Sequence, residues 1–263
     1  MDHHHSWYNF LPWYDALYHY FQDNFAGTVV FNGGIMPAHG HFETIHHLVA
    51  GVLVILTLVV LSLMARARLR NLEEAVIPSP KFNLLNFFEM ILQVVMNLMR
   101  DVIGDDYKRH VPFVGSLALF ILFSNLLGLV PGFIPPTDNL NTTLACGLVV
   151  FIYFNVQGFK AHGIGHITHL ANPIGEWWGW FLAPLLFPIE AIGLLVRPFS
   201  LGVRLAGNMI GDHRVLLAFA GLVPFVVPLP FFALGLLVAV IQTVVFCLLT
   251  CVYISLHTQE ASH

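Results

Sequence analysis

Polar residues are distributed very unevenly along this chain. Between residues 47 and 65 the run is apolar apart from His47, Thr57 and Ser62, and RARLR follows it directly. A helix of about 20 such residues matches the ~30 Å hydrocarbon core of a bilayer, so this run predicts a membrane span. Two more spans are predicted over 111–130 and 142–159, with the loop PGFIPPTDN (131–139) between them. Two apolar stretches then occupy roughly 177–222 and 223–256, each too long for an upright crossing. Each reads as one long tilted or bent helix, and Pro184, Pro188 and Pro198 allow the first to bend.

Residues 81–104, KFNLLNFFEMILQVVMNLMRDVIG, follow a different pattern. Leu84, Phe87, Phe88, Ile91, Val94, Val95 and Leu98 recur at helical spacing, while Asn83, Asn86, Glu89, Gln93, Asn97 and Arg100 fill the polar positions. This predicts an amphipathic helix lying in the interface. The alternative is a helix buried against other spans. Residues 1–45 are rich in aromatics and histidine and predict an outer interfacial segment, with Trp7, Trp13 and the tyrosines at headgroup level. The predicted fold is an all-α membrane protein with about five transmembrane helices, one amphipathic interfacial helix and two long tilted helices at the C-terminus. Residues 46–263 form the helical core of a single membrane domain spanning 1–263. No internal repeat is present, which gives the inverted-repeat transporter folds no support.

Composition agrees: the chain is 57% hydrophobic and only 10% charged, against about 25% charged in a soluble domain. A net charge of −4 leaves no basic patch for nucleic acid. Cys146, Cys247 and Cys251 all lie in apolar segments and read as packing thiols. No Lys or Arg precedes Arg66, the wrong composition for a transit peptide or signal sequence. The expectation is therefore a protein that is bacterial or made in the organelle it serves.

Charge also sets the orientation. Arg66, Arg68, Arg70, Lys81, Arg100, Lys108, Arg109 and Lys160 fall in connections on one side, while 1–46 and 131–141 carry no Lys or Arg. The positive-inside rule puts the N-terminus outside and, with five spans, the C-terminus in the cytoplasm. Arg197, Arg204 and Arg214 are the exceptions.

Arg204 is the most demanding of them, because a charge at the bilayer centre costs at least ~2.5–3.5 kcal/mol. At about 100° per residue, Ser200 and Asn208 lie within about 40° of Arg204, and Arg197 and Gly211 within about 20°. Glu190 joins the same face at about 40°, but nearly four turns away. Gly207 and Gly211 make a GxxxG pair suited to close approach by another helix. His213 lies about 180° from Arg204, so it faces away from that stripe toward the final helix. Arginine does not lose its proton in practice, so it can attract or repel a carboxylate but never relay a proton. A mobile carboxylate from another chain would be charged beside Arg204 and neutral in lipid.

The run SLGVRLAGNM (200–209), with NLLGLVPG (125–132) and VIQTVVFCLLTCVYISL (240–256), resembles the signature of the a subunit of F-type ATP synthases. The resemblance covers most of the chain and implies a proton-translocating stator subunit with two aqueous half-channels. It implies that Arg204 is the essential cation facing the ring of c subunits, with Gln242 beside it on the last helix. Glu190, Ser200, Asn208 and Asn125 match polar positions of the proton path, and Arg197 stands where the family often has Lys or Arg. The position nine after the arginine is His213. Its usual companion, seven before the glutamine, is Gly235, which cannot titrate; Asp212 then takes over that role. The implied partners are the c ring, peripheral-stalk b subunits, the remaining synthase subunits and membrane lipids. The implied location is the bacterial plasma membrane, with no nucleotide site, cofactor or metal on this chain.

Two other readings fare worse. A metal transporter is suggested by HHH at 3–5, HGH at 39–41 and His46–His47, but most of these precede any span. A membrane enzyme is suggested by HGIGHITH (162–169), yet no second histidine box completes a metal site, and HExxH and GxSxG are absent.

Overall fold

A computed structural model describes residues 6–25, 45–68, 84–130, 132–163, 179–222 and 228–259. Among them are seven α-helices and no strand: α1 (Tyr14–Phe25), α2 (His46–Arg68), α3 (Leu84–Ile103), α4 (Tyr107–Leu127), α5 (Leu140–His162), α6 (Gly179–Leu222) and α7 (Pro228–Gln259). Short 3-10 turns cover Trp7–Phe10 and Pro136–Asp138. Five helices are long and apolar enough to cross a membrane, namely α2, α4, α5 and most of α6 and α7. The protein is an all-α, multi-pass membrane protein. The sequence expectations for the His-rich runs at 3–5 and 39–41, for most of HGIGHITH and for Lys81 lie outside the described residues.

The predicted spans return with boundaries moved by a few residues, because helices continue through polar ends that composition does not count as apolar. α4 takes in Lys108–His110, and α5 is capped by Asn139, whose side chain accepts from the Asn141 N–H at 2.9 Å. α6 has 44 residues, and Pro184, Pro188 and Pro198 all lie inside it. At 1.5 Å per residue it is about 66 Å long, twice the hydrocarbon thickness, so it cannot cross upright.

The main core joins α3 to α7: Met99, Val114, Ile121, Val150, Phe154, Leu201, Leu205, Phe246, Cys251 and Ile254 meet in it. α5 lies along α6 at very short range. A Cβ at Gly147 would sit 2.5 Å from the Pro198 carbonyl oxygen, and one at Gly202 would sit 2.9 Å from Leu144 Cα. Only glycine permits this crossing. All three cysteines are buried free thiols, as packing required.

α3 is amphipathic, as its pattern predicted. Glu89, Gln93, Asn97 and Arg100 are exposed while Val95, Met99 and Ile103 enter the main core against α4 and α7. Its apolar face is divided: this part docks on other helices, while Met90 and Val94 remain exposed.

The N-terminal segment corrects one expectation. Trp7 and Trp13 are exposed, but Tyr8 and Tyr14 turn inward instead of lying at a surface. They stack around His46 and form a second, smaller core with Ile45, Val49 and Ala50. The Tyr8 hydroxyl donates to the Ile134 carbonyl, and burial pushes both phenols above their ordinary pKa. The Trp7 N–H donates to the Gly132 carbonyl at 3.1 Å. Gly132 has φ +89, and any Cβ there would collide with the Trp7 indole.

Candidate functional site

The helical framework gives the polar residues of α6 three distinct settings. In the middle of α6, Arg204, Gly207, Asn208 and Gly211 are exposed and Ser200 is half-buried. Around them the same helix exposes Ile192, Leu195, Val196 and Phe199. No described residue pairs with or bonds to the Arg204 guanidinium. Nothing lies within 4 Å of a Cβ built at Gly207 or Gly211. Among the described residues the GxxxG pair thus makes no close helix contact, whereas Gly147 and Gly202 do.

One turn past Arg204, Asn208 Nδ2 donates to Gln242 Oε1 at 2.7 Å, tying α6 to α7. Gln242 is buried, so its side chain is fixed from behind while Asn208 stays at the surface. Asn125 is buried on α4, where it accepts from Thr137 Oγ1 at 2.8 Å and donates to the Ala239 carbonyl at 3.5 Å. Ala239 is one turn before Gln242, so Asn125 braces the same part of α7.

Toward the start of α6, Arg197 Nη2 lies 3.9 Å from Glu190 Oε1, and its guanidinium sits 5.8 Å from the centre of the Tyr253 ring. Two turns separate the pair, a span that long side chains can bridge. The ion pair is half-exposed and contributes little stability. Its effect is to use up Glu190 locally, which leaves Arg204 without an acid. Nearby, the Tyr153 hydroxyl lies 2.9 Å from His110 Nδ1, and His257 packs against Phe154. The start of α4 and the ends of α5 and α7 therefore share this end of the bundle.

The far end of α6 holds Asp212, His213 and Arg214. Asp212 reaches α7, where its Oδ2 would lie 2.7 Å from a Cβ at Gly235. His213 and Arg214 both act electrostatically on Asp138, in the Pro136–Asp138 turn. Asp212 and His213 are adjacent and so leave α6 about 100° apart.

Asp138, Thr137, Gly147 and Gly202 were not singled out in the sequence. Asp138 carried a usable signal as the sole acid in a loop without Lys or Arg, matched by Arg214, which breaks the charge rule. The glycines carried none. Burial raises the Asp138 carboxyl above the usual carboxylate range, with His213 and Arg214 opposing that rise.

Comparison with known proteins gives this arrangement a family. The profile of the ATP synthase A chain family matches residues 48–255. ATP synthase subunit a of Sorangium cellulosum (strain So ce56) is 45% identical over 213 residues, 81% of this chain and 82% of that protein. The subunit a of Bdellovibrio bacteriovorus (strain ATCC 15356 / DSM 50701 / NCIMB 9529 / HD100) is 43% identical over 222 residues, covering 84% and 94%. That of Geobacter sulfurreducens (strain ATCC 51573 / DSM 12127 / PCA) is 44% identical over 209 residues, covering 80% and 86%. The match takes in the polar residues of α6 described above and Gln242 of α7, and with it the chain belongs to the ATP synthase A chain family.

Proposed function

We propose that this chain is the proton-conducting stator subunit of a rotary F-type ATP synthase, with Arg204 facing a ring of c subunits. What carries this reading is Arg204 itself, an exposed cation without a partner among the described residues, beside bare glycines and exposed apolar side chains of the same helix. In lipid that arrangement would cost at least ~2.5–3.5 kcal/mol. A carboxylate brought past it by another chain removes the cost. At ~4 Å and an effective dielectric of ~20 the attraction is about 4 kcal/mol, enough to keep the passing carboxylate ionised.

The polar groups then divide into two half-channels on either side of Arg204. Protons enter from outside near Asp212, His213 and Gln242, and neutralise a ring carboxylate, which can move into lipid. After nearly a full turn that carboxylate discharges into the cytoplasm near Glu190. Ser200 and Asn208 line the face in between, and Asn125 braces the inlet side. Arg204 blocks a direct leak, protecting a driving energy of about 2.3 kcal/mol per charge per 100 mV. The subunit sits in the bacterial plasma membrane with its N-terminus outside and its C-terminus in the cytoplasm, against the c ring and the peripheral-stalk b subunits. The chemistry of ATP belongs to other subunits.

Cross-linking tests the docking face. In an assembled synthase, Gly207→Cys should form a disulfide with a cysteine on the carboxylate-bearing helix of the ring, whereas Val59→Cys on α2 should not. A cross-link from Val59→Cys with none from Gly207→Cys would place the ring on the wrong side of this chain.

A further inference from the structure

Asp138 is a carboxylate in an unusual place. The Pro136–Asp138 turn packs against α2, α4, α5 and α6. It is pinned by Thr137, whose hydroxyl bonds Asn125, which in turn reaches the Ala239 carbonyl of α7. The next residue, Asn139, has its Nδ2 3.4 Å from His47 Nδ1 on α2. Both neighbours thus fix the backbone from which the Asp138 side chain projects. Its Oδ1 is buried and accepts no hydrogen bond from any described residue.

The charged and titrating groups facing it are few. α6 presents His213 and Arg214, with Asp212 next to them in the chain; on α2, His47 bonds the neighbouring Asn139. α4 and α5 present Asn125 and Asn141, which do not titrate. A buried carboxylate oxygen without a donor is costly, by more than the ~1–3 kcal/mol of a neutral group. Two things relieve it: a neighbouring cation or an added proton. Arg214 supplies the first permanently, and His213 does so only when protonated.

Resting on the proton-path reading above, we infer that Asp138 is a further proton-handling residue, which collects protons from outside and passes them to His213. The carboxylate takes one proton from external water and becomes a neutral carboxyl. That proton then moves to a free ring nitrogen of His213, restoring the carboxylate and leaving an imidazolium. The imidazolium gives up its proton toward Asp212, one residue away, and the relay is reset. Arg214 stays charged throughout and keeps Asp138 from retaining the proton. Burial acts in the opposite sense, letting Asp138 bind protons at a higher pH than an exposed carboxylate does.

The test uses the whole synthase in inverted vesicles, whose lumen corresponds to the outer side. ATP synthesis is driven at fixed membrane potential and fixed external pH, while the lumenal pH is varied. Asp138→Asn keeps the shape of the side chain and removes its titration. The expected result is a shift of the half-maximal lumenal pH by about one unit to the acid side, because scarce protons are no longer collected. Asp138→Glu should return the midpoint to that of the parent. Should Asp138→Asn reduce assembly, Asp138→Ser replaces it in the same assay. A midpoint unchanged in Asp138→Asn overturns the inference. So does an equal loss in Asp138→Asn and Asp138→Glu at every pH, which would mark a packing role. Arg204→Ala in the same assay separates the two claims. If it still makes ATP, the proton-path reading fails; if it does not and Asp138→Asn matches the parent, only the role of Asp138 fails.

Discussion

Asp212 fills the space that a side chain at Gly235 would need: its Oδ2 lies 2.7 Å from the position of a Cβ there, and Leu129 Cδ2 closes the other side at 2.8 Å. A side chain at Gly235 therefore requires the ends of Asp212 and Leu129 to move aside.

Exchange of the two residues should show this. Gly235→Glu alone should disrupt coupling, because the new side chain collides with Asp212. Asp212→Asn should slow ATP-driven proton pumping strongly, and adding Gly235→Glu to it should rescue little, since Asn is as large as Asp. Gly235→Glu combined with Asp212→Gly should restore pumping, with the carboxylate returned from the opposite helix. Fluorescence quenching by inverted vesicles measures all four. Pumping at the parent rate by Asp212→Asn would put the inlet elsewhere.

The Asn208–Gln242 hydrogen bond gives a second test. Gln242→Leu leaves the Asn208 amide without its partner on α7, a net loss of about 0.5–1.5 kcal/mol. A drop in coupled rate of roughly tenfold corresponds to about 1.4 kcal/mol. If the bond acts as a unit, Asn208→Ala with Gln242→Leu should be no slower than the worse single variant. Losses that simply multiply would mean the two side chains act separately.

The crossing of α5 and α6 should tolerate no side chain. Gly147→Val and Gly202→Val each force backbone apart from backbone, and overpacking of this kind costs about 1–3 kcal/mol or more. Both should lower the amount of this chain in purified membranes. Gly193→Val, where a Cβ meets nothing within 4 Å, should leave it unchanged.

Orientation can be read by labelling intact cells with an impermeant thiol reagent, since all three native cysteines are buried. Ser6 is a poor reporter because it is buried and caps the Trp7–Phe10 turn. Phe10, 81% exposed, is a good one. Phe10→Cys should label and Ser262→Cys should not. The reverse pattern would invert the topology.

The spans were legible in the sequence because burial in hydrocarbon leaves a long apolar run regardless of how the helices pack. The stripe around Arg204 was legible as well, since a helix turns by a fixed angle per residue. What the sequence could not carry was partnership between helices. Gly147 and Gly202 look like any glycines in an apolar run, and only the Pro198 and Leu144 backbones opposite them reveal the crossing. The docking of α3 depended on α4 and α7 being there to receive Val95 and Met99. Asp138 is far in sequence from His213 and Arg214, so no local pattern links them.

The proposed role of Arg204 is measured most directly by ATP synthesis in inverted vesicles under an imposed proton gradient. Arg204→Ala should assemble normally yet lose coupled synthesis by at least about 100-fold, as removal of a fixed charge from a reacting centre does. Arg204→Lys should fail nearly as badly, because a lysine in that setting can lose its proton and its planar fork is gone. Coupled synthesis near the parent rate in a fully assembled Arg204→Ala synthase would contradict the account.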